Sequence, residues 1–194
     1  MPMNYLHRKI CSSARWAADV ADRMPEQLAG VELGDDVLEI GPGFGATTRA
    51  LVSHTAKSSD TTKLTAVEID EASVALLRAE FTDRVEIVHG DGARLPFPDG
   101  RFSAVVCFTM LHHVPSTGLQ DALFAEACRV LRPGGVFRGV DSRPSLRFRL
   151  LHIGDTMVVL DPVTLPGRLR RAGFEEVASQ HQPGRQIRFL ARKA

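Results

Sequence analysis

The sequence predicts an α/β fold, a mostly parallel sheet covered by helices on both faces, and three observations predict it. Between residues 36 and 140, short apolar runs alternate with stretches of helical periodicity. Glycines or acidic side chains stand at the ends of the first three runs, where open α/β sheets bind their ligands. The last two runs are joined by a connection too short for a crossover helix, so they must form an antiparallel hairpin. The 194 residues suit one domain with a short lid.

Taken in order, residues 4–28 read as one helix, with Leu6, Ile10, Ala14, Ala17, Val20 and Met24 recurring at steps of mostly three or four. A loop with Gly30 and Gly34 leads to the first strand, residues 36–40, which ends at glycines. Residues 47–52 open a helix, and the Ser-, Thr- and Lys-rich residues 53–62 read as an exposed loop. Residues 64–69 are the second strand, 71–81 a helix, 85–88 the third strand and 104–108 the fourth. The helix of residues 119–131 ends at Pro133-Gly134-Gly135, and residues 136–140 form the fifth strand. Gly173 stops a helix over 165–172, and the hairpin runs 174–180 and 186–191 flank a turn with Pro183 and Gly184.

The net charge of +1 hides an asymmetry: from Arg138 onward Lys and Arg outnumber Asp and Glu by 11 to 5. Such a surface either attracts an anionic partner or is a solvated helix face, the favoured reading. No window holds the roughly 18 apolar residues of a membrane span. Residues 1–10 carry basic side chains without a following apolar run, unlike a secretory signal. Three cysteines without C-x-x-C spacing argue against a disulfide framework or zinc site, and a cytoplasmic location is expected.

The chemistry-bearing motif is Glu39-Ile40-Gly41-Pro42-Gly43-Phe44-Gly45, a strand-to-helix turn whose glycines let backbone approach a ligand. Glu68 ends the second strand, where a carboxylate can accept from both hydroxyls of a ribose. Asp70 is the second candidate, or else a helix cap. Gly90-Asp91-Gly92 follows the third strand, where a carboxylate can accept from an adenine amino group; an Asp-Gly turn is the plainer alternative.

Together with Leu-His-His-Val at 111–114 and Arg-Val-Leu-Arg-Pro-Gly-Gly at 129–135, these motifs resemble the class I, Rossmann-like S-adenosylmethionine-dependent methyltransferases of small-molecule type, in matching order from residue 36 onward. The resemblance implies a three-layer sandwich with strand order 3-2-1-4-5-7-6 and strand 7 antiparallel. It implies S-adenosyl-L-methionine as cofactor and S-adenosyl-L-homocysteine as product. Gly41, Pro42, Gly43 and Gly45 would line the methionine part, with Glu39 holding its amino group. Glu68 would bind the ribose, Asp91 and Gly92 would read the adenine, Ile69 would pack on its ring, and Phe108 would lie near the cofactor. Ser103 departs from the family, which commonly has Asp there; little chemical effect is expected.

An activated methyl donor needs no triad or metal, only alignment and exclusion of water. His112 is the candidate general base. Metal ligation by His112 and His113 is not expected, because adjacent side chains without a nearby third ligand define no site. The motifs of nucleic-acid methylating enzymes are missing, so a small acceptor, acidic or amphipathic, is expected. Its lid would be residues 1–30, with Tyr5 and Trp16, and residues 142–164. A nicotinamide oxidoreductase and a non-catalytic cofactor-binding protein are the rivals; the oligomeric state is not legible.

Overall fold

The computed structural model describes residues 4–58 and 61–194. The elements are α1 (Tyr5–Cys11), α2 (Ala14–Gln27), β1 (Asp36–Ile40), α3 (Ala46–Ser58), β2 (Lys63–Glu68), α4 (Glu71–Phe81), β3 (Glu86–His89), β4 (Phe102–Phe108), α5 (Thr117–Val130), β5 (Leu131–Ser142), α6 (Leu146–Leu151), α7 (Leu165–Arg171), β6 (Phe174–Gln182) and β7 (Gln186–Lys193). The seven strands lie in the order β3-β2-β1-β4-β5-β7-β6. The first five are parallel, and β7 runs antiparallel to both β5 and β6. This is the Rossmann-like sheet expected, hairpin included.

Alternate residues of each central strand feed separate cores. Leu38, Val105 and Phe137 face α5 and α7, joining Phe124, Leu169 and Phe189. Val37, Ala66 and Val106 face α2, α3 and α4, joining Met24, Leu51 and Phe81. Both faces are covered, which is why the strands read as continuous apolar runs.

Three boundaries differ from the sequence reading. The N-terminal helix is two helices, because Ser13 breaks the first and its hydroxyl caps the second through the Trp16 N–H at 3.2 Å. Residues 53–58 are helical, not loop: Leu51 and Thr55 are buried on the inner face of α3, and the Thr55 hydroxyl donates to the Leu51 carbonyl at 3.0 Å. Residues 1–3 and 59–60, which belong to the lid and loop expectations, lie outside the described residues. Pro133 to Gly135 sit in a bulge between the pairings Phe102–Leu131 and Ala104–Val136, so α5 passes directly into β5.

The basic C-terminal part is partly structural. Arg138 is buried and donates to the Gln27 carbonyl at 2.7 Å. Arg168 is buried against Asp121 at 2.6 Å and Gln120 at 2.9 Å. Neither forms an anion-attracting surface. Among the described residues no helix is long and apolar enough to cross a membrane.

Ser103 stands at the amino end of β4, away from the strand ends that carry the candidate site. Its hydroxyl accepts from the Asp36 N–H at 3.0 Å and donates to the Leu33 carbonyl at 2.6 Å. Ser103→Ala leaves those groups without their partner, at a cost of about 1–3 kcal/mol. The expected outcome is a Tm lower by several degrees in thermal unfolding, with ligand affinity unchanged.

Candidate active site

The carboxyl ends of β1, β2 and β4 open onto a cleft lined by Gly41, Pro42, Gly43, Glu68, Phe108 and Met110, among others. The turn after β1 enters left-handed backbone at its glycines, with φ of 69° at Gly41, 56° at Gly43 and 78° at Gly45. The three differ in what a side chain would meet. A Cβ at Gly41 would stand 2.8 Å from Met110 Cε, and one at Gly45 2.9 Å from Leu77 Cδ2. At Gly43 a Cβ would meet nothing within 4 Å, so this glycine borders open space.

Glu68 is buried, and its carboxylate accepts three backbone N–H groups at 2.9 Å: Gly43 on one oxygen, Ile69 and Asp70 on the other. It thereby ties the glycine turn to the end of β2. Asp70 caps α4 through the Ser73 N–H at 2.9 Å, so both readings of the acidic pair have a place. Glu39 lies deeper, accepting from Thr47 Oγ1 and, at 2.6 Å, from Thr48 Oγ1 on the first turn of α3. Burial holds its carboxyl up at about 7; the two threonine hydroxyls oppose this, and the charge of Glu68 adds to it.

A second, apolar cavity opens between β1, β2 and β3, lined by Ile40, Ile69, Asp91, Gly92, Val114 and Leu123, among others. Asp91 Oδ1 accepts from the Ala93 N–H at 2.9 Å, the plain turn bond expected of Asp-Gly. Gly92 is needed for packing, since a Cβ would stand 2.7 Å from Ile40 Cγ2. Gly41, Glu68 and Met110 line both cavities and join them.

The candidate general base His112 sits in the interior, beside β5. A single helical turn over Leu111–His113 follows β4. His112 is only 2% exposed and faces Asp141, which accepts its backbone N–H at 2.8 Å and meets its Nδ1 at 2.5 Å. His113, not His112, lines the cleft. Burial, reinforced by His112, His7 and His152, pushes His113 down to about 2, so it is a weak base. The stated ground for excluding a metal also falls, because the fold supplies the third imidazole: His7 and His152 pack against His113 with ring centroids at 5.1 and 5.3 Å.

Sequence reasoning missed His7, Arg8, Cys11 and Thr109, which also line the cleft. Thr109 follows β4 with a φ of 53°, unusual for a β-branched residue and found at the site itself. Trp16 lines the cleft with them, whereas Tyr5 is 81% exposed. The N-terminal helices and the segment after β5 meet: Asp155 accepts the Asn4 N–H at 2.6 Å, and Asn4 Nδ2 donates to the Leu151 carbonyl at 2.7 Å.

Residues 37–135 match the family model of the methyltransferase domain. The chain belongs to this family. Over 115 residues it is 40% identical to a probable S-adenosylmethionine-dependent methyltransferase of Mycolicibacterium smegmatis, covering 58% of this chain and 40% of that one. It is 34% identical over 112 residues to a fatty-acid O-methyltransferase of the same organism, covering 57% of this chain and 38% of that one. The chain thus spans well under half the length of these curated relatives. A solved structure from Pyrococcus horikoshii shares the fold at a TM-score of 0.77 and 16% identity, covering 95% of this chain and 94% of that one. None of these matches supports the nicotinamide or the non-catalytic reading.

Two outcomes follow from this methyltransferase-domain geometry. The Glu39 carboxyl holds its proton more tightly in the folded state than its ordinary value of 4.5 allows in the unfolded chain. Its stabilising contribution is therefore complete below that value and lost as pH rises towards about 7. Urea midpoints of the ligand-free protein should fall over this window, and Glu39→Gln, which resembles the protonated acid, should flatten the fall. Gly43→Val should abolish binding of S-adenosylhomocysteine while the circular dichroism spectrum stays native, because the side chain meets ligand space and not protein. Unchanged affinity by calorimetry would make the turn a purely structural one.

Proposed function

We propose that this chain is an S-adenosylmethionine-dependent methyltransferase that transfers a methyl group to a small-molecule acceptor by in-line displacement. The observation that carries the reading is the pair of cavities joined at Glu68, Gly41 and Met110. An adenosine group has an apolar slot on one side of Glu68, a ribose has the carboxylate itself, and an amino-acid chain has the glycine turn on the other. When bound, the cofactor supplies an already activated methyl group. Glu68 exchanges backbone N–H partners for ribose hydroxyls, Ile69 and Leu123 wall the adenine, and Asp91 reads its amino edge. Gly43 leaves backbone exposed to the methionine part, and Glu39, through Thr47 and Thr48, sets the first turn of α3 behind it.

The chain's own contribution to the reaction is alignment and exclusion of water. His7, Trp16, Phe44 and His113 enclose the cleft wall nearest the acceptor, with α1, α2 and residues 142–164 as the covering elements. His113 on the cleft wall is a weak base, so this reading assigns the rate to alignment and not to general-base help. The acceptor is amphipathic and acidic: the cleft offers apolar Trp16, Phe44 and Phe108 together with the exposed cation of Arg8. The fatty-acid specificity in the name of one relative supports this class.

Glu68→Ala removes charge-assisted hydrogen bonds, each worth about 1.5–3 kcal/mol. Affinity for S-adenosylhomocysteine should drop roughly ten-fold or more in calorimetry. A folded variant with unchanged affinity would refute the assignment. Incubation with labelled cofactor and long-chain carboxylic or hydroxy acids, read by mass spectrometry, should give a methylated product; transfer only to neutral polar acceptors would overturn the acceptor class.

A further inference from the structure

Four histidines far apart in the chain meet at the inner wall of the cleft: His7 on α1, His112 and His113 after β4, and His152 at the end of α6. All four are buried. Their ring centroids lie 4.1–5.3 Å apart in the five pairs that touch. Stacked imidazoles alone would be unremarkable in a core, but the hydrogen bonds around them are one-sided.

Each ring spends one nitrogen on a fixed acceptor outside the cluster. His7 Nδ1 lies 2.7 Å from Asp155 Oδ2, and Asp155 is itself held by the Asn4 N–H. His152 Nδ1 donates to the Phe148 carbonyl at 2.7 Å. His112 Nδ1 faces Asp141 at 2.5 Å. His113 gives its N–H to the backbone at Thr156. A neutral imidazole has a single N–H. Once these four are spent, the four remaining nitrogens carry lone pairs. His112 Nε2 and His152 Nε2 stand 3.1 Å apart, a spacing that needs a proton on one of them or a cation beside them. Carboxylate or carbonyl acceptors on the outer nitrogen are the arrangement that orients histidine ligands around a metal and fixes their tautomer.

We propose that His7, His113 and His152 form a binding site for a divalent first-row transition metal ion, zinc being the reference case, at the acceptor end of the cleft. One ligand nitrogen from each already lies within 4.8 Å of the others. A tetrahedral ion with bonds of about 2.0–2.1 Å brings its ligands roughly 3.3 Å apart, so modest ring movements close the site. Imidazole sets suit zinc, copper, iron and nickel. Three protein ligands leave a fourth position, and His7 and His113 border the cleft. An acceptor oxygen, carboxylate or hydroxyl, would take that position. Asp155 acts through His7 and is a positioning residue.

Metal binding does not depend on the methyl-transfer reading, and one set of samples separates the two. Untagged full-length protein, stripped with chelator, is titrated with zinc chloride by competition with a chromophoric chelator, and S-adenosylhomocysteine affinity is measured alongside. One equivalent should bind at micromolar Kd or tighter. His113→Gln and His152→Phe should each weaken it at least 100-fold, the second, which lies off the cleft lining, with cofactor affinity retained, and Asp155→Asn about 10–100-fold. If a variant fails to fold, cobalt(II) loading of the unmodified protein decides: the intense visible bands of a low-coordinate, imidazole-ligated ion are expected. Less than half an equivalent bound, no such bands, or binding unaffected in folded variants overturns the site.

Discussion

The carboxylate of Glu68 is the constraint on which the rest of the site depends. A parallel sheet leaves the ends of β1 and β2 side by side, and the backbone leaving each strand carries N–H groups that the ladder no longer satisfies. Glu68 takes three of them at once, from Gly43, Ile69 and Asp70. The glycine turn therefore has a fixed height over the sheet, and the two cavities meet at one acidic group. A ligand that brings its own hydroxyls to Glu68 competes with those N–H groups directly. Binding and the conformation of the turn are in this way linked.

The N-terminal helices and the segment after β5, proposed above as the cover of the cleft, are sequence-distant pieces joined by polar contacts. Asn4 caps α1 with its side-chain oxygen and uses its nitrogen on the Leu151 carbonyl. Asp155 gathers the Asn4 N–H and the His7 ring. Large apolar side chains here, among them Leu146, Leu150 and Ile153, are exposed. Few buried apolar contacts make for a low local opening free energy, which suits the covering role proposed for these elements.

Much of this protein was decided by its sequence alone. A strand run such as 104–108 is apolar throughout because both sheet faces are covered, and the short link between the last two runs forces antiparallel pairing whatever the tertiary context. The glycine turn, Glu68 and Gly90-Asp91-Gly92 were legible because each is local: backbone freedom and an acid at a strand end can be read from neighbouring residues. Helix α3 past Val52 was not, since Ser53, Thr55 and Lys57 give its last turns no apolar period to read.

Tertiary structure alone decided what faces the acceptor. Nothing local distinguishes His112 from His113; only the position of Asp141 on β5 turns one inward and leaves the other on the cleft wall. His7, His152 and Asp155 stand 148 residues apart at their widest, and no periodicity connects them. Their meeting depends on α1 and the segment after β5 docking over the same strand ends. Side-chain chemistry at a single position is a property of the sequence, whereas a cluster of ligands is a property of distance, and distance exists only once the chain has folded.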